Sequence, residues 1–267
     1  MTRKLVLAGW FVGATIAAAF LATSAIAFVA IFSATARAQP DIPLPPDDAT
    51  QKQIIADVKA KALDYEKNLP DFTCTQLSHH SLDLKGTAQW KTLETVSETL
   101  RFIHHVEEYT LIAQNGKKAS GSEKRPAGLI SIKEFSDMLH YLFDPAVKIE
   151  MAWQQWDSVR GHRVHKLIFG VPKATSLFTV KKSKDLKSGL AGFAYVDSDT
   201  NAVLRLEMAA TDIPKTNPVQ AEAMDIVYDF ARIGDKIYLL PFKADLHEKQ
   251  GKTQVWDEVE LKDFRKP

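Results

Sequence analysis

Between Arg160 and Glu207 the chain changes polarity at nearly every second residue. It reads RGHRVHKLIFGVP, then TSLFTVKK, then GFAYVDSDTNAVLRLE, three or four short runs with turn residues between them. Val164, Lys166 and Ile168 fall on one face of such a run, and His165, Leu167 and Phe169 on the other. Phe193, Tyr195 and Asp197 alternate with Ala194 and Val196, and Leu204, Leu206 and Met208 with Val203, Arg205 and Glu207. A period of two is the mark of a strand with unlike faces. The connections are short, so neighbouring strands pair antiparallel. The expectation is a meandering antiparallel sheet curled around an apolar interior.

The rest of the chain extends this pattern. Asp48 or Thr50 can cap a helix reaching Tyr65 to Leu69, with Ile54, Ile55, Val58, Ala62 and Leu63 in one apolar stripe. Pro70 ends it. Phe72 to Leu84 reads as a strand. Trp90 to His105 is a long alternating run, and Tyr109 to Gln114 continues it to a hairpin signal at Asn115-Gly116. Residues 117–127 have the charge and turn content of an exposed loop. Ser131-Ile-Lys-Glu134 forms a capping box before a helix through Phe135, Met138, Leu139 and Leu142, stopped by Asp144-Pro145. Val147 to Ser158, Met224 to Arg232, Lys236 to Leu246 and Thr253 to Phe264 supply further strands.

Residues 1–38 stand apart. Arg3 and Lys4 precede an uncharged stretch from Leu5 to Phe32, and Ala36-Arg37-Ala38 offers a small-residue cleavage pattern. This is a secretory signal peptide or an uncleaved N-terminal anchor, since the apolar run is long enough to span a bilayer. Either places the remainder outside the cytoplasm: in the periplasm, secreted, or anchored on the inner membrane facing the periplasm. Residues 39–49 are a proline-rich linker, and residues 50–267 form a single domain. Without residues 1–38 the basic count falls by three from 34 to 31, against 33 acidic residues. Neither this near-neutral balance nor any motif favours nucleic acid. Membrane contact is expected only through residues 5–32, if they stay attached. The single cysteine, Cys74, has no internal disulfide partner and reads as a small buried apolar residue.

Chemistry-bearing motifs are missing. There is no H-E-x-x-H or Cys/His ligand cluster, no G-x-S-x-G, and no G-x-G-x-x-G or phosphate-binding loop. No catalytic residue, metal site or cofactor is assigned, and no enzyme is expected. The aromatic and methionine side chains carry more signal. Met151, Trp153, Trp156, Phe193, Tyr195, Leu206 and Met208 spread over several strands and are the candidate lining of a ligand cavity. The competing reading of the same residues is an ordinary filled core.

The order of elements adds a resemblance. A secretory leader comes first. A helix then runs into Leu69-Pro-Asp-Phe-Thr-Cys-Thr-Gln76, and a strand meander with a mid-chain helix follows. The segments Gly161-His-Arg-Val-His-Lys-Leu167, Ala194-Tyr-Val-Asp-Ser-Asp-Thr-Asn-Ala-Val-Leu-Arg-Leu206 and Asp229 to Leu240 continue it. Over about residues 50–264 this resembles the periplasmic lipoprotein carriers of the LolA/LolB type. Phe143-Asp-Pro145, Trp156 with Arg160-Gly161, and Asp263-Phe-Arg-Lys266 also resemble uncharacterised secreted proteins of soil bacteria. The carrier resemblance implies an α+β fold: a strongly curved antiparallel sheet, an unclosed half-barrel, with the N-terminal and mid-chain helices over its concave face. It implies an exported cell-envelope binding protein whose apolar cavity carries a lipid or the acyl chain of a lipoprotein. The alternative is a non-catalytic envelope interaction or scaffold module with a filled core and a protein partner.

Overall fold

The structure is a computed structural model; it describes residues 43–120, 124–126, 129–180 and 186–267. The expected leader, its cleavage pattern and the start of the proline-rich linker lie outside the described residues. Residues 42–267 form one compact unit that contains the whole described core.

The fold is α+β, an unclosed half-barrel. Helix α1 (Asp48–Leu63) is capped by Asp47, whose carboxylate accepts the Thr50 backbone N–H at 2.7 Å. Its stripe of Ile54, Val58 and Ala62 is buried, and a single 3-10 turn follows at Glu66–Asn68. The strands come next: β1 (Phe72–Asp83), β2 (Lys91–Ile103), β3 (Val106–Gln114) and the two-residue β4 (Lys117–Lys118). Helix α2 (Ile132–Phe143) precedes β5 (Glu150–Val159), β6 (His162–Val171), β7 (Gly189–Asp197) and β8 (Val203–Thr211). Then come β9 (Ala221–Ile233), β10 (Lys236–Gln250) and β11 (Thr253–Arg265).

These strands form one antiparallel sheet in the order β4-β3-β2-β1-β11-β10-β9-β8-β7-β6-β5. The first four make one wing and the last seven a meander, joined where β11 pairs with β1. The topology forces one long connection. The chain leaves the β4 edge and re-enters at the β5 edge, and α2 lies on that path. Its apolar residues Phe135, Met138, Leu139 and Leu142 share one face and pack in the same core as α1.

Several expectations change in detail. The long run from Trp90 to Gln114 folds back on itself at His104-His105, both with positive φ (51° and 62°). That is the backbone of a tight hairpin turn, made without the usual glycine or asparagine. The capping box at Ser131 is not closed. Ser131 takes the N-cap position but makes no side-chain cap, and the Lys133 backbone N–H is taken by Glu107 of β3 at 2.5 Å. The described part of TSLFTVKK is no strand; beyond one bridge between Thr179 and Lys187 it is irregular. Residues 117–127 are not merely an exposed loop either. Lys117 and Lys118 pair with β3, and Arg125 is drawn inward onto Glu98 of β2, which is fully buried.

Gly192 shows how closely β7 and β8 approach at one point. A Cβ built there would sit 1.9 Å from the Glu207 carbonyl oxygen and 2.8 Å from the Met208 Cα. Both are backbone atoms of a paired strand and cannot rotate away. Gly192→Ala is therefore expected to destabilise the fold by about 1–3 kcal/mol, read as a lower urea midpoint; an unchanged midpoint would mean the strands separate freely.

Candidate ligand-binding site

The described inner face holds one apolar cavity of 330 Å³ beneath α2. Its floor is built from alternate residues of two paired strands, Met224 and Ile226 on β9 and Ala244 and Leu246 on β10. Period two puts all four on the side facing the helices. Phe135 and Met138 of α2 form the roof, and Ile130 and the segment 177–179 close the sides. Ala244 stands opposite Ile226 and gives the floor a small residue where a larger one would fill the space. The next strip of α2, Glu134, Asp137 and Tyr141, reaches the cavity from its polar side. Asp137 is paired with Lys133 at 3.1 Å, and that bond holds the Lys133 ammonium above its ordinary pKa. Leu177 is 41% exposed beside the opening. The site is thus a greasy slot with a charged lip.

The roof is held from below. Tyr228, the next inward residue on β9 after Ile226, is fully buried, and its hydroxyl donates to the Phe135 carbonyl at 2.8 Å. Its ring meets Tyr65 and Phe135 edge-on at 5.3 and 6.3 Å between centroids. The entry to α2 is pinned by Arg125. Its Nε is 3.0 Å from Glu98 Oε2, its Nη2 donates to the Ile130 carbonyl at 3.1 Å, and the guanidinium covers the Tyr109 ring at 4.0 Å. Burial pushes the Glu98 carboxyl above its ordinary pKa despite the nearby guanidinium.

The seven residues singled out from the sequence lie elsewhere in the same sheet, and none of them lines this cavity. Leu206 and Met208 are buried in the main core, with Met151 and Trp153 packed at its margin on the edge strand β5. Trp153 donates its indole N–H to His165 Nδ1 at 3.1 Å, and Trp156 lies over the same imidazole at 4.3 Å. Burial, with a smaller contribution from Arg163, lowers the His165 pKa, in keeping with a neutral ring that accepts at Nδ1. Trp156 also donates to the Leu44 carbonyl at 3.1 Å, fastening the chain ahead of α1. Phe193 and Tyr195 are on the outer face, where they pack with Val159, Val164 and Leu204. The Lys166 ammonium lies 4.2 and 5.1 Å from their ring centres, and the Tyr195 hydroxyl bonds Glu207.

Among the described residues no three His, Cys, Asp or Glu side chains gather as a metal-binding group. The Cys74 thiol is buried, and burial pushes its pKa up to about 12, so it is a packing group and not a nucleophile.

No family model and no curated protein matches this chain. Solved structures do show similarity. A LolA superfamily protein from Nitrosomonas europaea is 8% identical with a TM-score of 0.32, covering 79% of this chain and 93% of its own. A putative outer membrane lipoprotein-sorting protein domain from Vibrio parahaemolyticus is 12% identical with a TM-score of 0.36, covering 82% and 93%. The lipoprotein LppX of Mycobacterium tuberculosis is 11% identical with a TM-score of 0.33, covering 81% and 97%. Two of these names belong to the lipoprotein-carrier group that the sequence resembles, but likeness at these TM-scores carries no inference about ligand or role.

Proposed function

We propose that residues 42–267 are an exported cell-envelope binding unit that carries a lipid or acylated ligand in the slot beneath α2. The observation that carries this reading is the 330 Å³ apolar cavity between the helix and the β9–β10 floor. It lies within the range of small-ligand pockets, about 300–1,000 Å³. A methylene takes up about as much room as a water molecule, about 30 Å³, so the slot seats on the order of ten methylenes of an acyl chain. At about 0.8 kcal/mol per buried methylene the transfer gain is about 8 kcal/mol, which bounds the affinity near micromolar. Such an affinity suits a carrier, which must release what it binds. The charged lip of Glu134 and Asp137 leaves a polar head in water while the chain is buried. The leader-like residues 1–38 support the export half of the reading.

The test is titration of residues 42–267 with a fluorescent acyl probe, alongside native mass spectrometry of the gently purified protein. One probe per chain with micromolar affinity is expected. Ala244→Phe fills the floor and is expected to weaken binding at least tenfold. Leu177→Asp, at the exposed lip, is expected to do the same without touching the core. No binding by the unaltered protein, or equal binding by both variants, would leave the scaffold reading in its place.

A further inference from the structure

The hairpin tips at one end of the sheet carry a second feature, separate from the slot. The β1–β2 and β10–β11 tips touch: a Cβ on Gly86 would lie 3.0 Å from the Lys252 carbonyl oxygen. Between them the tips present Lys85, Lys91, Lys249 and Lys252, all exposed and, among the described residues, in no ion pair. Leu84 is 69% exposed and Leu93 45% exposed, although each sits beside strands with ample core. With Leu82 they border a shallow depression flanked by Lys85 and Lys91. Trp90, half-buried, packs edge-on against Trp256 at 5.6 Å just behind the tip.

The carboxylates at this end are set back from the exposed lysines. Asp83 is buried and its Oδ1 accepts the Lys85 and Gly86 backbone N–H groups. Glu222 and Glu248 are buried on the inner face, Glu248 accepting from Gln250. Glu94 is half-buried and bonded to Gln114. The lysines form two pairs, Lys85 with Lys91 on one hairpin and Lys249 with Lys252 on the other, far apart in sequence, and the pairing of β1 with β11 brings the two pairs together.

We infer that these two tips dock on an anionic lipid surface. The leucines enter the headgroup boundary, the lysines meet the lipid phosphates, and Trp90 lies at the level of the interface. A protruding tip with exposed leucines suits a soft bilayer, where apolar side chains can sink in. A rigid polyanion would meet the lysines and leave the leucines in water. The orientation also serves the slot, although the docking does not depend on it. Lys249 is three residues beyond the floor residue Leu246 on β10, about 10 Å at the rise of a strand, so the docked tip brings the floor close to the membrane.

The test uses residues 42–267, which contain the whole described core and leave out the apolar leader segment. Sedimentation is measured with vesicles of phosphatidylcholine alone and of phosphatidylcholine with phosphatidylglycerol. Binding is expected only with phosphatidylglycerol and is expected to weaken as salt rises. Each lysine near the surface strengthens partitioning about fivefold, so changing all four to alanine is expected to weaken binding by at least about a hundredfold. Changing all four to arginine is expected to preserve it, and Leu84→Ala with Leu93→Ala is expected to weaken it about tenfold or more. The lysines are exposed, so thermal unfolding is expected to stay unchanged. Equal binding to both vesicle types, or binding that survives the quadruple alanine change, would overturn the inference. So would capture by a nucleic acid or an acidic protein with no vesicle binding.

Discussion

Replacing Arg125 with methionine is expected to cost about 3–5 kcal/mol at neutral pH, because it strands a buried charge. Glu98 has no exposed surface, and its Oε1 has no hydrogen-bond partner among the described residues. Its other oxygen depends on Arg125 at 3.0 Å. The pH dependence has a fixed sign. Folded Glu98 keeps its proton to a higher pH than the unfolded chain does, since burial raises it above the ordinary 4.5. Its contribution to stability is therefore fully present below pH 4.5 and is lost as pH rises through the folded value. Removing the guanidinium raises that value further and deepens the loss. Urea midpoints measured across pH should show Arg125→Met far below the unaltered protein at neutral pH, with the gap narrowing in acid. Adding Glu98→Gln should recover much of the loss at neutral pH, since it removes the stranded charge. An unfolding free energy within about 0.5 kcal/mol of the unaltered protein, flat with pH, would mean the pair is solvated and does not pin α2.

Tyr228→Ala is expected to cost a similar amount, about 3–5 kcal/mol. The ring is fully buried at the point where β9, α2 and the turn after α1 meet, edge-on against Tyr65 and Phe135. Domain stabilities are about 5–15 kcal/mol, so this one change can bring the fold near its threshold at physiological temperature. Tyr228→Phe separates the two roles of the side chain. It keeps the ring and loses only the bond to the Phe135 carbonyl, for about 1 kcal/mol. Amide exchange should then quicken in the first turns of α2 more than in the central strands. If Tyr228→Phe costs as much as Tyr228→Ala, the hydroxyl and not the packing holds the roof.

The strands were readable because alternation survives in each of them, from Val164 to Phe169 and from Phe193 to Asp197. What alternation cannot say is which parity faces inward. On β7 the inner residues are Gly192, Ala194 and Val196, while the larger Phe193 and Tyr195 sit outside under the stem and ammonium of Lys166. Size alone points the wrong way there, since the outer face has its own small apolar cluster, where Tyr195 is buried with a carboxylate partner and Lys166 over its ring. Register shifts add to the difficulty. One between Tyr195 and Val196 lets Leu204 join the outer cluster while Leu206 joins the core, although the two are of the same parity. The slot was less legible still. Met138, Met224 and Ala244 come from separate elements; β9–β10 pairing joins the last two, and α2, on the path from one sheet edge to the other, brings Met138 over them. The signals were present but faint: a methionine on the apolar face of a short helix, a second on a late strand, and an alanine where a core strand would carry a larger residue. The four tip lysines are the same case, since Lys85 and Lys252 become neighbours only through the pairing of the first and last strands.

The most direct test of the slot is nuclear magnetic relaxation with an acyl chain bearing a spin label near its methyl end. Bound beneath α2, the label should broaden the methyl signals of Met138, Met224, Ile226 and Ala244. It should leave the outer-face rings of Phe193 and Tyr195 sharp, and Ala244→Phe should abolish the effect. Broadening that centres on the outer face, or that spreads evenly over the surface with the Met138 and Met224 methyls unaffected, would show that no acyl chain enters the space under the helix.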